Sequence, residues 1–313
     1  MTASMPSPAL VPRKRGTRAG RRPRAASGRK QWAAYAFIAP FFLVFGVFQL
    51  LAVIASAGMS LTNWKGASGG QYVALGNYTA LLSDPAFLKA LWHTVILWVL
   101  TVPALSFGAL ALAHVLNAKL VKAKSVLRTL FFLPVLPSLV VVGVLFLLLM
   151  DPVYGLPNIA LQALGLPAID LKNNPDVAMP VLAAVILWRW LGYNMTIHLA
   201  ALQSLPTDVI ESAKVDGATS WQTFWRVIVP MSKPTLVFTT IMSTIGTFNL
   251  FDEPYVLFGS EAGPDQAGLT LGTYMFKQGF EFFNLGYASA ISYTVAAVVL
   301  VLSLLQLRVT RND

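Results

Sequence analysis

Arg189 stands near the middle of a long apolar stretch, within Leu187-Trp188-Arg189-Trp190-Leu191-Gly192-Tyr193-Asn194. A charge at the centre of a membrane helix opposes insertion by roughly 2.5–3.5 kcal/mol, so it needs an acidic partner, a wet cavity wall or the hydroxyls of a passing solute. On a helix, Tyr193, Thr196 and Gln203 continue its face, while Trp190 and Asn194 form the adjacent stripe. A second polar set, Thr244, Thr247, Asn249, Asp252 and Glu253, precedes Pro254, and helical spacing puts Asn249, Asp252 and Glu253 on one face. Trp188, Trp190, Tyr193, Phe248 and Phe251 lie among these groups. Such a lining suits a sugar, whose hydroxyls need polar partners and whose apolar C–H face packs on aromatic rings. Two readings of Arg189 stay open: it lines a substrate pocket, or it pairs internally with Glu253 and fixes helix packing.

The elements that must position these residues are membrane helices. The chain has 313 residues, 56% hydrophobic and 12% charged, too apolar for a soluble globule of this size. A bilayer core takes roughly 20 apolar residues in a helix. Six segments qualify, near residues 32–60, 90–116, 126–150, 178–203, 235–258 and 286–308. The expected fold class is therefore an all-α membrane protein with six transmembrane helices. The absence of cysteine excludes disulfides, thiolate metal sites and cysteine nucleophiles. His93, His114 and His198 are far apart in apolar runs, which argues against a metal site. No G-x-x-x-x-G-K-[ST], G-x-S-x-G or H-E-x-x-H occurs, so no catalytic residues are expected.

Net charge is +10, yet its distribution points to lipid rather than nucleic acid, because nine basic residues fall within residues 1–30. That arm is rich in Arg, Pro, Ser, Gly and Ala and cannot bury a core, so it reads as a disordered segment preceding a membrane domain over residues 31–313. The arm, Lys119, Lys122, Lys124, Arg128, Lys214, Arg226, Lys233, Arg308 and Arg311 share one side of the bilayer. Lys65, Lys89, Lys172 and Lys277 lie on the other. This bias places both termini and the loop over residues 204–234 in the cytoplasm of a multi-pass plasma-membrane protein. The external loops over 62–78 and 258–272 are too short to hold a further domain.

The cytoplasmic loop, SLPTDVIESAKVDGATSWQTFWRVIVPMSKP, mixes charge with apolar residues. Asp208 with Glu211 reads as a helix start, the Asp side chain capping free N–H groups. Gly217 stands where that helix must stop. Thr219 with Gln222 repeats the start signal, and Trp221, Phe224, Trp225 and Ile228 set an apolar stripe on a second helix. Pro230 ends it and Pro234 opens the next span.

Glu211-Ser212-Ala213, Asp216-Gly217-Ala218 and Ile228-Val229-Pro230 resemble the EAA motif of importer-type ABC permeases, with Ser212 and Val229 departing from the pattern. The resemblance extends over residues 131–292 to the maltose-permease-like first subunit of carbohydrate importers. FFLP, YGLPN, WRWLGYN, LAALQSLPTD and LGYASAIS carry it, and WRWLGYN with LAALQ looks like the cellobiose and lactose branch. It implies that Glu211, Ala213, Asp216, Gly217 and Ala218 belong to a coupling helix docking on a separate ATPase. It likewise implies that Arg189, Trp190, Tyr193 and Asn249 correspond to positions lining the sugar site, although the identities at Arg189 and Trp190 differ. Asn194 and Glu253 complete the candidate set from the polar patterning. The implied function is ATP-driven import of a di- or oligosaccharide. The implied partners are a second six-span permease, two ATP-hydrolysing subunits that hold ATP and Mg, and an external solute-binding protein; this chain itself would bind no cofactor. An ion-driven secondary transporter using Asp252 and Glu253, or an ABC permease for a non-sugar solute, is the alternative. The absence of a visible internal repeat argues against the former.

Overall fold

The computed structural model describes residues 28–118, 122–171 and 173–311. Residues 1–27 of the expected basic arm lie outside the described residues. Helix α1 (Gly28–Val44) and a π-helical turn over Phe45–Leu50 lead into α2 (Leu51–Ser60). Phe37 and Phe48 are exposed along this stretch. From residue 55 onward the order is α3 (Gly76–Ser83), α4 (Pro85–Pro103), α5 (Ala109–Asn117), α6 (Lys124–Phe132), α7 (Leu139–Leu149) and α8 (Leu156–Ala163). Then come α9 (Ala178–Gln203), α10 (Thr207–Val215), α11 (Ser220–Thr223), α12 (Val229–Met231), α13 (Lys233–Phe248), α14 (Asp252–Phe258), α15 (Leu271–Phe276) and α16 (Leu285–Arg311). The only β-pairing among the described residues is an isolated bridge between Thr62 and Tyr72.

Among the described residues, four stretches are long and apolar enough to cross a bilayer: Tyr35–Ser60, Pro85–Asn117, Pro175–Gln203 and Leu285–Arg308. The two other expected spans are helical but interrupted. The segment expected over 126–150 is bent by 94° between Lys124–Val135 and Leu139–Leu149. Pro134 and Pro137 lack the N–H an unbroken helix would use, and Ser138 starts the helix afresh by accepting from the Val141 N–H at 3.4 Å. The segment expected over 235–258 is α13 and α14, separated at 249–251. A helix running through Pro254 would drive its ring against the Leu250 carbonyl. That carbonyl instead accepts the Thr270 hydroxyl at 2.7 Å. Thr270 and Thr273 cap α15 reciprocally, and Gly272 lets α15 approach so closely that a Cβ there would collide with the Leu250 oxygen.

Lipid gives little hydrophobic drive between helices, so contact rests on close packing and interhelical hydrogen bonds. Ala109 and Ala113, small residues one turn apart on α5, are fully buried in a cluster with Met195 and Leu199 of α9. One turn before Met195, Gly192 lies so near α6 that a Cβ would strike the Phe131 carbonyl. Polar ties link α13 to the continuous α4–α5 span: Ser106 with Thr240 at 2.9 Å, and the Trp98 indole N–H donating to Thr244 at 3.0 Å. Thr244 therefore faces away from the other polar groups of its segment.

Candidate functional site

The breaks and the tight packing leave a cavity of about 320 Å³ between α9 and the α13–α14 junction. Arg189, Trp190, Tyr193, Asn194, Asn249 and Glu253 all line it, so the structure brings together every residue of the expected substrate set. The one-face expectation for Asn249, Asp252 and Glu253 is corrected in its cause. No continuous helix joins them; the turn at 249–251 delivers all three to the same wall.

Arg189 and Glu253 meet deep in the wall, 93% and 94% buried, with Nη1 donating to Oε1 at 3.4 Å. The Trp190 indole N–H donates to the same oxygen at 3.2 Å. The guanidinium lies 5.5 Å from the Trp190 ring centre, a separation at which the cation is attracted to the ring. Arg189 Nε is buried and has no hydrogen-bond partner among the described residues. The ion pair and the cavity wall are thus one feature, and the two readings of Arg189 are compatible. A long single-point contact leaves the guanidinium with donor capacity toward the cavity.

Asn249 is exposed, with its amide N–H donating back to the Ile245 carbonyl at 2.8 Å, so its carbonyl oxygen faces outward as an acceptor. Tyr193 is 42% exposed and packs edge-on against Trp190 at 5.8 Å. Asn194 is buried and donates to the Trp190 carbonyl at 3.1 Å. Several expectations fail here. Thr196 binds the Gly192 carbonyl, and neither it nor Gln203 reaches the cavity. Trp188 packs on Phe146 at 5.2 Å and Phe248 lies in the core, so of the expected aromatics Trp190, Tyr193 and Phe251 line the cavity, together with Phe238 of α13, which was not expected. Thr239, Ser243 and Thr247 of α13 also line the cavity. Their spacing of about one turn was the available signal, hidden among Thr240 and Thr244, whose hydroxyls face the helices packed behind α13.

The loop over 204–234 forms a compact hairpin. Gly217 has φ +83°, and the Ala218 N–H donates to the Ala213 carbonyl at 3.0 Å, a Schellman closure of α10. Thr219 and Gln222 form the expected reciprocal cap of α11. Asp208 lies inside the first turn of α10 instead of capping it, because Pro206, with φ already near −65°, lets the helix start at Thr207. Glu211, Asp216 and Gly217 are exposed, and Ala213 and Ala218 half-buried. The expected stripe divides. Phe224 and Ile228 enter the core, whereas Trp221 is 70% exposed and Trp225 is 41% exposed. A π-helical turn over Phe224–Ile228 rotates the face.

A third polar cluster was missed. The Asp84 carboxylate accepts from the Ala86 N–H, at the start of α4, and from the Tyr274 and Tyr287 hydroxyls at 2.5 and 2.6 Å. Burial pushes its pKa up, yet the two hydroxyls and the amides of Phe87 and Ala86 outweigh that and hold the carboxyl below the usual range. Nothing in the spacing of these residues signals the contact.

Broken spans around a partly polar cavity, with a capped helical hairpin on one face, define a membrane permease without catalytic machinery. Residues 72–312 match the family model described as binding-protein-dependent transport system inner membrane component, and the chain belongs to that family, the non-catalytic multi-pass subunits of ABC importers. It is 38% identical over 279 residues to the lactose transport system permease protein LacF of Rhizobium radiobacter, covering 88% of this chain and 93% of that one. It is 36% identical over 282 residues to the arabinooligosaccharides transport system permease protein AraP of Bacillus subtilis (strain 168), covering 90% and 89%. Its fold matches a chain of a bacterial alginate ABC transporter crystallised with an alginate pentasaccharide-bound periplasmic protein, at TM-score 0.77 and 24% identity, over 91% of this chain and 96% of that one.

Proposed function

We propose that this permease imports a neutral di- or oligosaccharide, and that the cavity at Arg189 and Asn249 is where the sugar passes. The observation that carries the reading is the composition of one wall. Donors remain free on a buried guanidinium, the Asn249 side chain is exposed, and Trp190, Tyr193 and Phe251 offer ring surface. The lactose and arabinooligosaccharide relatives support the substrate class. The charges refine it: one cation, Arg189, faces two carboxylates, Asp252 and Glu253, so the cavity is formally negative and disfavours acidic sugars.

In this reading both termini and the 204–234 hairpin are cytoplasmic. A second permease completes the channel, and an external binding protein delivers the sugar. Glu211, Ala213, Asp216, Gly217 and Ala218 dock on one of two ATPase subunits, which hold ATP and Mg while this chain binds neither. Closure of the ATPase pair pushes the hairpin, and the spans rock between outward-open and inward-open states.

Arg189→Ala and Asn249→Ala should each lower sugar transport and sugar-stimulated ATP hydrolysis while the complex still assembles. If Arg189 serves packing alone, Arg189→Ala should reduce assembly. Glu253→Gln should then restore it by removing the orphaned charge, with Asn249→Ala behaving like wild type; that pattern would overturn the reading. Transport that persists without ATP but stops when the ion gradient collapses would favour ion coupling at Asp252 and Glu253.

A further inference from the structure

Phe251 belongs to the cavity wall, but it is also the inner end of a series of rings. Its centroid is 4.5 Å from Phe276 and 4.9 Å from Tyr255, and Tyr255 is 5.4 Å from Phe276. Phe276 in turn stacks on Phe280 at 5.0 Å and 25°. Four rings from two sequence segments, 251–255 and 276–280, thus run without a gap from the cavity to Phe280, which is 67% exposed. The inner three are each partly exposed, unlike Phe248, which is 99% buried in the core. The outer step is built deliberately by the backbone: the π-helical turn over Lys277–Glu281 follows α15 and places Phe280 over Phe276.

We propose that this aromatic ladder is an extended binding track for the further units of an oligosaccharide whose leading unit occupies the cavity. The proposal rests on the reading of the cavity as a sugar site. The cavity volume lies at the lower end of the usual range for ligand pockets, roughly 300–1,000 Å³, so a longer saccharide must continue beyond it. The ladder is continuous with the wall it would leave. The stacked rings cover one another's inner faces, so the track is the row of their apolar edges together with the exposed part of Phe280, a surface without fixed hydrogen-bond direction. Successive pyranose units can pack their C–H faces on it and shift along it with little change in energy, while the hydroxyl edges stay in water. A track of this kind favours chain length without reading linkage.

The test uses the complete transporter, this chain with its partner subunits and binding protein, in proteoliposomes supplied with a mixed size ladder of neutral oligosaccharides. The length profile of imported sugar is read by chromatography. Phe280→Ala should lower uptake of the longer members about fivefold relative to the disaccharide, and Phe280→Tyr should restore the wild-type profile. Yield of assembled complex should not change. Equal loss at every length with reduced assembly would make the ladder a subunit contact and overturn the track. An unchanged profile would overturn it too. Arg189→Ala and Asn249→Ala separate this from the underlying reading, because they should reduce all lengths together. If wild type imports no member of the mixture, the sugar reading fails and the track fails with it.

Discussion

The hairpin over residues 204–234 and the cavity are built by opposite means. In the hairpin every defining bond is short-range: Ala218 to Ala213, Thr219 to Gln222, and one glycine at φ +83° with open space around it. In the cavity, Arg189 meets Glu253 across 64 positions, and the turn that aims Glu253 is held by Thr270, 20 positions beyond Leu250. A self-contained hairpin can be pushed as a unit without losing its own structure. The cavity wall can change only when whole helices move, which is the coupling an alternating-access pathway requires.

The same substitution should therefore fail differently in the two regions. Gly192→Val and Gly272→Val force side chains into the Phe131 and Leu250 carbonyls, which neighbouring backbone cannot yield. Each should destabilise by on the order of 3 kcal/mol or more, and the assembled protein should be lost from detergent extracts. Gly217→Val meets no atom within 4 Å and strains only its own backbone. About 1–2 kcal/mol of local cost should leave insertion and expression intact while lowering ATPase association and transport. Gly217→Asn, which tolerates the left-handed region, should behave nearly as wild type. Equal loss of assembly in all three valine variants would erase the distinction between the regions.

A smaller change addresses the hairpin's second half. Thr219→Ala removes the side-chain acceptor for the Gln222 N–H and should weaken the start of α11 by about 1 kcal/mol. The effect should be seen as faster amide exchange at residues 220–223, with the cavity side chains undisturbed.

What could be read from the chain follows the same division. Gly217, the Thr219–Gln222 cap and the grouping of Arg189, Trp190, Tyr193 and Asn194 on α9 were readable because caps and helical faces are set by spacings of three or four residues. Asn249 and Glu253 instead reach the same cavity through the turn at 249–251. The stripe of Trp221, Phe224, Trp225 and Ile228 was read as one apolar face, and it divides where a π-helical turn over Phe224–Ile228 breaks the helical spacing. The broken fifth span carried its signal in Pro254, yet where the chain would turn depended on Thr270 and Gly272, which no local pattern links to Leu250. The aromatic ladder joins two segments distant in sequence, 251–255 and 276–280, and was invisible for the same reason.

Asp84 joins both kinds of construction in one side chain, and a conservative change separates them. One carboxylate oxygen caps α4 through the Ala86 N–H at 2.9 Å, and the other accepts the hydroxyls of Tyr274 and Tyr287, 190 and 203 positions away. Asp84→Asn keeps a capping oxygen, since Asn serves almost as well at that position. It replaces charge-assisted acceptance of two hydroxyls by neutral bonds, so only the long-range part weakens. The site is partly open to solvent, and the expected loss is about 0.5–1.5 kcal/mol, seen as a melting temperature lower by a few degrees at neutral pH. The sign with pH follows from the direction of the shift. A carboxyl held below its ordinary range stabilises the fold above the unfolded value, about 3.9, and loses that contribution as pH falls through the folded value. Wild type and Asp84→Asn should therefore differ from pH 5 to 8 and converge as the solution is acidified below about pH 4. A gap that persisted in acid would mean that Asp84 acts through its local cap, and the long-range tie between α4, α15 and α16 would carry none of the stability assigned to it.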